Sequence, residues 1–74
     1  MIIASGFVEV NELNDVERVV SELKMREIEV NEVREEKIVF LVERETIAEV
    51  KAELDSFKDI DGVRNVYLAY YSAE

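Results

Sequence analysis

The same order of segments occurs twice in this chain, and that duplication constrains the fold more than any other feature. In the first half, Ile2 to Val10 is apolar and β-compatible. Asn14-Asp15-Val16-Glu17 then has the form of a capping box, with Asn14 placed to accept from the third helical N–H and Glu17 to reach back. Val16, Val19, Val20 and Leu23 follow at helical spacing, so an amphipathic helix is expected to end near Met25. From Glu27 to Val33, Ile28 and Val30 alternate with Glu29 and Asn31, the pattern of a half-buried strand. A polar turn, Arg34-Glu35-Glu36-Lys37, leads into the second half. There, the continuous apolar run Ile38 to Val42 reads as a central strand covered on both sides. Thr46-Ile47-Ala48-Glu49 repeats the capping box, and Ile47, Val50, Leu54 and Phe57 form the stripe of a second helix. After a turn at Gly62, a last strand runs from about Val63 to Tyr71. The order is β-α-β-β-α-β. Right-handed crossovers place the first and third strands side by side in the centre, with both helices on one face. The expected fold is a ferredoxin-like α+β sandwich: a four-stranded antiparallel sheet backed by two helices.

Seventy-four residues make one domain, of a size at which a single core is only just sufficient. Both helices lie on one side, so the other face of the sheet stays open. Alternation assigns its residues. With Gly6, Val8 and Val10 toward the helices, Ser5, Phe7 and Glu9 lie outside on the first strand. The third strand adds Val39, Leu41 and Glu43, the second Glu29 and Asn31, and the fourth Tyr67, Ala69 and Tyr71. A bulge would invert the register, and this list would then fail. The predicted face has an apolar centre of Phe7, Val39, Leu41, Tyr67 and Tyr71, with the acids Glu9, Glu29 and Glu43 toward its edges. An uncovered apolar face on so small a domain asks for a partner.

The composition narrows what that partner is. Eighteen acidic residues against nine basic give a net charge of −9, which argues against a nucleic-acid backbone as ligand. An acidic surface repels anionic membranes and attracts cationic segments of other proteins. There is no cysteine and no histidine, so thiolate chemistry, the commonest general base and the commonest transition-metal ligand are all missing. Catalysis would have to come from carboxylates, lysines and tyrosines; no catalytic residue, cofactor or metal is expected. Glu35 and Glu36 sit together in a turn, but adjacent residues without glycine rarely converge on one hard cation. The opening Met1 to Val10 lacks a basic n-region and meets Glu9 early, unlike a secretory signal, and no stretch reaches transmembrane length. A cytoplasmic protein is expected. The many Glu, Lys, Arg and Val residues, with no proline or cysteine, fit a heat-adapted source.

Three segments resemble the NapD-type cytoplasmic chaperones of periplasmic nitrate reductase. They are the opening strand Ile3-Ala4-Ser5-Gly6-Phe7-Val8-Glu9-Val10, the pair Ile28 to Val33 and Lys37 to Glu43, and Ile60-Asp61-Gly62-Val63 running into Val66-Tyr67-Leu68-Ala69-Tyr70-Tyr71. The last is similar to the family's Gly-Val turn and closing Val-x-Leu-x-Tyr strand. Two positions depart from the pattern. Tyr71 stands where the family often has histidine, and the hairpin Arg34-Glu35-Glu36-Lys37 lacks the usual Gly or Pro. The resemblance implies a chaperone that binds the twin-arginine signal peptide of a molybdoenzyme precursor and delays its export until the cofactor is loaded. On the open face, the residues expected to hold that peptide are Ser5, Phe7, Glu9, Val39, Leu41, Glu43, Tyr67 and Tyr71.

Other uses of the same fold remain. The open face of such domains also serves as a homodimer interface, as in ACT- and AsnC-like small-molecule sensors. An ACT site wants glycine at its first strand–helix turn, where this chain has the acidic Val10-Asn11-Glu12-Leu13-Asn14. The Gly-x-Tyr-Asp element of AsnC-type domains is also missing. An acylphosphatase-like enzyme would need an arginine in that same first loop, and there is none.

Overall fold

The computed structural model describes residues 1–73. In chain order it contains β1 (Ile2–Val10), a single 3₁₀ turn (Leu13–Asp15), α1 (Val16–Met25), β2 (Glu29–Arg34), β3 (Lys37–Arg44), α2 (Ile47–Phe57) and β4 (Val63–Ala73). The strands form one antiparallel sheet in the order β2-β3-β1-β4, which is the ferredoxin-like βαββαβ arrangement. The core lies between this sheet and the helices. β1 contributes Ala4, Val8 and Val10, and β3 contributes Ile38, Phe40 and Val42. Val19 and Leu23 of α1, Val50 and Phe57 of α2, and the flanking Ile28 and Ile60 complete it. Phe40 and Phe57 meet edge to face at its middle, with ring centroids 5.4 Å apart. Ile47, expected to belong to the α2 stripe, is exposed at the first position of the helix.

The two helices begin differently. In α2 the expected cap forms: Thr46 Oγ1 accepts from the Glu49 N–H at 3.2 Å. The Glu49 carboxylate accepts from Glu45, one residue before the cap, at 3.3 Å. In α1 the Asn14 capping box does not form. Residues 13–15 wind into the 3₁₀ turn, and the N-cap is Asp15, which makes no side-chain cap bond. The Asp15 carboxylate instead pairs with Arg18 at 2.6 Å. Arg18 also donates to the Asp61 carbonyl at 3.5 Å, tying the start of α1 to the turn before β4. That turn depends on Gly62, at φ +101°, whose carbonyl accepts from Asn11.

At its other end α1 closes with a complete Schellman motif. The Ile28 N–H donates to the Leu23 carbonyl and the Glu27 N–H to the Lys24 carbonyl, each at 3.0 Å. Leu23 and Ile28 are both buried, supplying the apolar contact that usually accompanies the motif. The left-handed position, commonly glycine, is Glu27 at φ +63°. β2 and β3 join through a two-residue turn in which Glu35 also has positive φ, +55°. The half-buried Arg44–Glu53 pair at 3.2 Å links the end of β3 to α2.

Candidate functional site

The helices cover one face of the sheet, and opposite partners in an antiparallel ladder share a face. Register therefore fixes the other face row by row. Across β2, β3, β1 and β4 the rows read Glu29, Leu41, Ser5, Tyr70 and then Glu32, Val39, Phe7, Tyr67. One end is closed by Arg34, Lys37, Glu9 and Asn65, and the other by Glu43, Ile3 and Ser72. Of the residues expected on this face, Ser5, Phe7, Glu9, Val39, Leu41, Glu43 and Tyr67 lie there.

Tyr71 does not. β4 carries an extra residue at Ala69, so the register shifts between Ser5 and Gly6. Tyr70 then lies opposite Ser5 on the open face, and Tyr71 lies opposite the buried Ala4 on the helix side. The predicted Tyr67, Ala69, Tyr71 alternation is thus corrected to Tyr67 and Tyr70. Gly6 is what admits the shift. A Cβ there would overlap the Tyr67 carbonyl oxygen and sit 3.1 Å from the Leu68 Cα, so β4 approaches β1 this closely only because Gly6 has no side chain. A second bulge, in β2 between Val30 and Glu32, leaves Glu29 in place and changes the residues beyond it. Asn31 is the unpaired residue, and Glu32 takes the place expected for it on the open face, opposite Val39.

The middle of the face is apolar and ordered. Phe7 and Tyr67 stack across β1 and β4, with centroids 4.7 Å apart and 29° between planes. The Lys37 ammonium lies 5.2 Å from the Phe7 ring centre, a cation–π contact. Tyr67 and Tyr70 are 42% and 60% exposed, whereas Phe7, Val39 and Leu41 are only half-buried by their neighbours. Nothing in the described residues covers them.

The acids are not equivalent. Glu9 accepts from Asn65 Nδ2 at 3.4 Å and pairs with Arg64 at 3.5 Å. Its carboxylate is therefore already answered from within, by an arginine to which sequence reading gave no role. Glu32 pairs with Arg34 at 3.2 Å. Glu29 and Glu43 are exposed and, among the described residues, have no ion pair. No grouping of three or more acidic residues among the described ones could hold a metal ion. The arrangement suits recognition of a segment that is apolar along one stretch and cationic beside it.

A family model described as NapD protein matches residues 1–74, the whole chain. The chain belongs to the NapD family. No curated protein and no solved structure matches it. Membership carries the family's general role, that of a nitrate reductase assembly chaperone, with the enzyme's catalytic-subunit precursor as partner. The NapD resemblance of the three segments is thereby borne out over their full length. Among the described residues no helix is long and apolar enough to cross a membrane.

Proposed function

We propose that this NapD-family chain captures the twin-arginine signal peptide of a nitrate-reductase-like precursor on its open sheet face, in the cytoplasm, and so delays export until the cofactor is loaded. The observation that supports this is the uncovered apolar strip of Ile3, Leu41, Val39, Phe7, Tyr67 and Tyr70, flanked by Glu29 and Glu43, which have no ion pair among the described residues. A signal peptide of this class offers the complement: paired arginines followed by an apolar stretch. The domain acts by binding, with no catalytic step.

Magnitudes show that both halves are needed. Burying most of what Phe7, Tyr67 and Tyr70 still expose, about 250 Å² in all, is worth roughly 6 kcal/mol of transfer energy. Association and peptide ordering cost roughly 4–15 kcal/mol, so apolar contact alone leaves little net affinity. Charge-assisted hydrogen bonds from arginine to exposed carboxylates supply the remainder and make binding weaken with salt.

The test is a calorimetric titration with a synthetic twin-arginine signal peptide, with light scattering on the same sample. Saturable 1:1 binding that is lost in both Phe7→Glu and Tyr67→Glu supports the proposal. A tight dimer that binds no peptide would mean the face is used for self-association, and would return the small-molecule sensor to the lead.

A further inference from the structure

The Lys37 ammonium rests on a ring although carboxylates surround its end of β3. Glu9 lies directly opposite on β1, Glu32 stands on β2, and Glu35 and Glu36 form the turn. Glu9 is paired with Arg64 and Glu32 with Arg34. Glu35 and Glu36, like Lys37 itself, have no ion pair among the described residues. The ammonium instead lies 5.2 Å from the centre of the Phe7 ring. Tyr67 stacks on that ring from the β4 side at 4.7 Å, which leaves no room for a cation between the two rings. Lys37 comes from β3, on the other side of β1, and so covers the other face. Both faces of Phe7 are therefore taken before a ligand arrives, one by a stacked ring and one by a flexible four-carbon stem.

From this we infer that the Lys37 side of the Phe7 ring is a seat for a guanidinium of the ligand, which Lys37 holds in the free domain and yields on binding. This rests on the signal-peptide reading above and adds to it where one arginine sits and which side chain leaves. The exchange is favoured from both sides. A guanidinium is less strongly hydrated than an ammonium, and it lies flat on a ring while its N–H edge stays free to donate to a carboxylate. The displaced Lys37 has a place to go. With Glu9, Arg34, Glu35 and Glu36 it lines a cleft of about 150 Å³ at the turn, and two of those carboxylates lack an ion pair among the described residues. A ligand lysine gains nothing comparable, because it exchanges one ammonium for another. The resident cation thus sets a threshold at this seat that arginine passes and lysine does not.

The experiment titrates the whole domain, isotope-labelled, with a synthetic peptide carrying adjacent arginines ahead of a leucine-rich stretch, and with the same peptide bearing lysines in their place. In the free domain the ring current of Phe7 holds the ε-methylene signals of Lys37 upfield of those of Lys24 and Lys51. Saturation with the arginine peptide returns them to the ordinary lysine position, and saturation with the lysine peptide leaves them upfield. By calorimetry, Lys37→Gln raises affinity for the arginine peptide about three- to fivefold. In a Phe7→Leu background the same change raises it less than about twofold, whereas a mere change of net charge would act equally in both. Open-face amide shifts with the Lys37 signals unmoved, or moving equally with both peptides, overturn the seat and leave the peptide-binding reading standing. An equal gain in the two backgrounds does the same. Absence of any open-face shift with the arginine peptide overturns both.

Discussion

Adding a single methyl group at Gly6 tests how the site is built. Gly6 faces the helices in the middle of β1, at the place where the β4 register breaks. The Cβ of Gly6→Ala would overlap the Tyr67 carbonyl oxygen and crowd the Leu68 Cα at 3.1 Å. These are backbone atoms, so no side-chain rotation relieves the clash; β4 has to move away from β1 or lose its bulge. Overpacking of a well-filled site costs about 1–3 kcal/mol, and more where only backbone can yield. Taking about 3 kcal/mol, at 4–8 °C for each kcal/mol in a domain of this size, the melting temperature falls by about 12–24 °C. Ordinarily Gly→Ala within a strand is neutral or stabilising, because alanine restricts the unfolded chain, so the expected sign is opposite to the generic one. Circular dichroism melts measure it directly. Peptide titration at low temperature adds a functional readout, because Tyr67 and Tyr70 ride on the displaced strand. A variant that melts within about 3 °C of the parent would refute the claim that an empty Cβ position admits the bulge.

The remaining predictions address the caps and the site. Glu27→Gly, at the left-handed position of the α1 Schellman motif, should stabilise by about 1 kcal/mol, seen as a rise of several degrees in melting temperature. Glu35→Gly, at positive φ in the β2–β3 turn, should act in the same direction by a similar amount, and the two should add because they lie in separate turns. Tyr70→Ala should weaken signal-peptide binding several-fold while Tyr71→Ala leaves the dissociation constant unchanged in the same titration; equal losses would contradict the register at Ala69. Arg64→Ala frees the Glu9 carboxylate on the open face, so binding of an arginine-bearing peptide should strengthen and become more salt-sensitive, as a titration at two ionic strengths would show.

What the sequence made legible follows from how locally each feature is determined. Helical stripes such as Val16, Val19, Val20, Leu23 and the period-two strands β1 and β3 need only the chain's own hydrophobic spacing, and handedness then leaves one way to assemble them. The sheet order follows from that, and seven of the eight residues expected to hold the peptide lie on the open face. The errors have a different origin, because each depends on a second strand or a competing partner. Asn14 fits the cap pattern, but residues 13–15 form a 3₁₀ turn and Arg18 pairs with Asp15 and with Asp61 far along the chain. Alternation misplaces Tyr71 because it assumes an unbroken ladder, whereas one added residue exchanges the faces of everything beyond it. The signal that warns of such a break was present: a lone glycine, Gly6, within an otherwise apolar strand, which marks close backbone approach. It did not say which strand approaches, or at which residue, because that is a property of the pair. The same logic separates the acids. From sequence Glu9, Glu29 and Glu43 are alike, but the tertiary register places Arg64 and Asn65 beside Glu9 and leaves the other two without an ion pair among the described residues. Pattern locates a face of this kind, and pairing decides which of its residues are still free to bind.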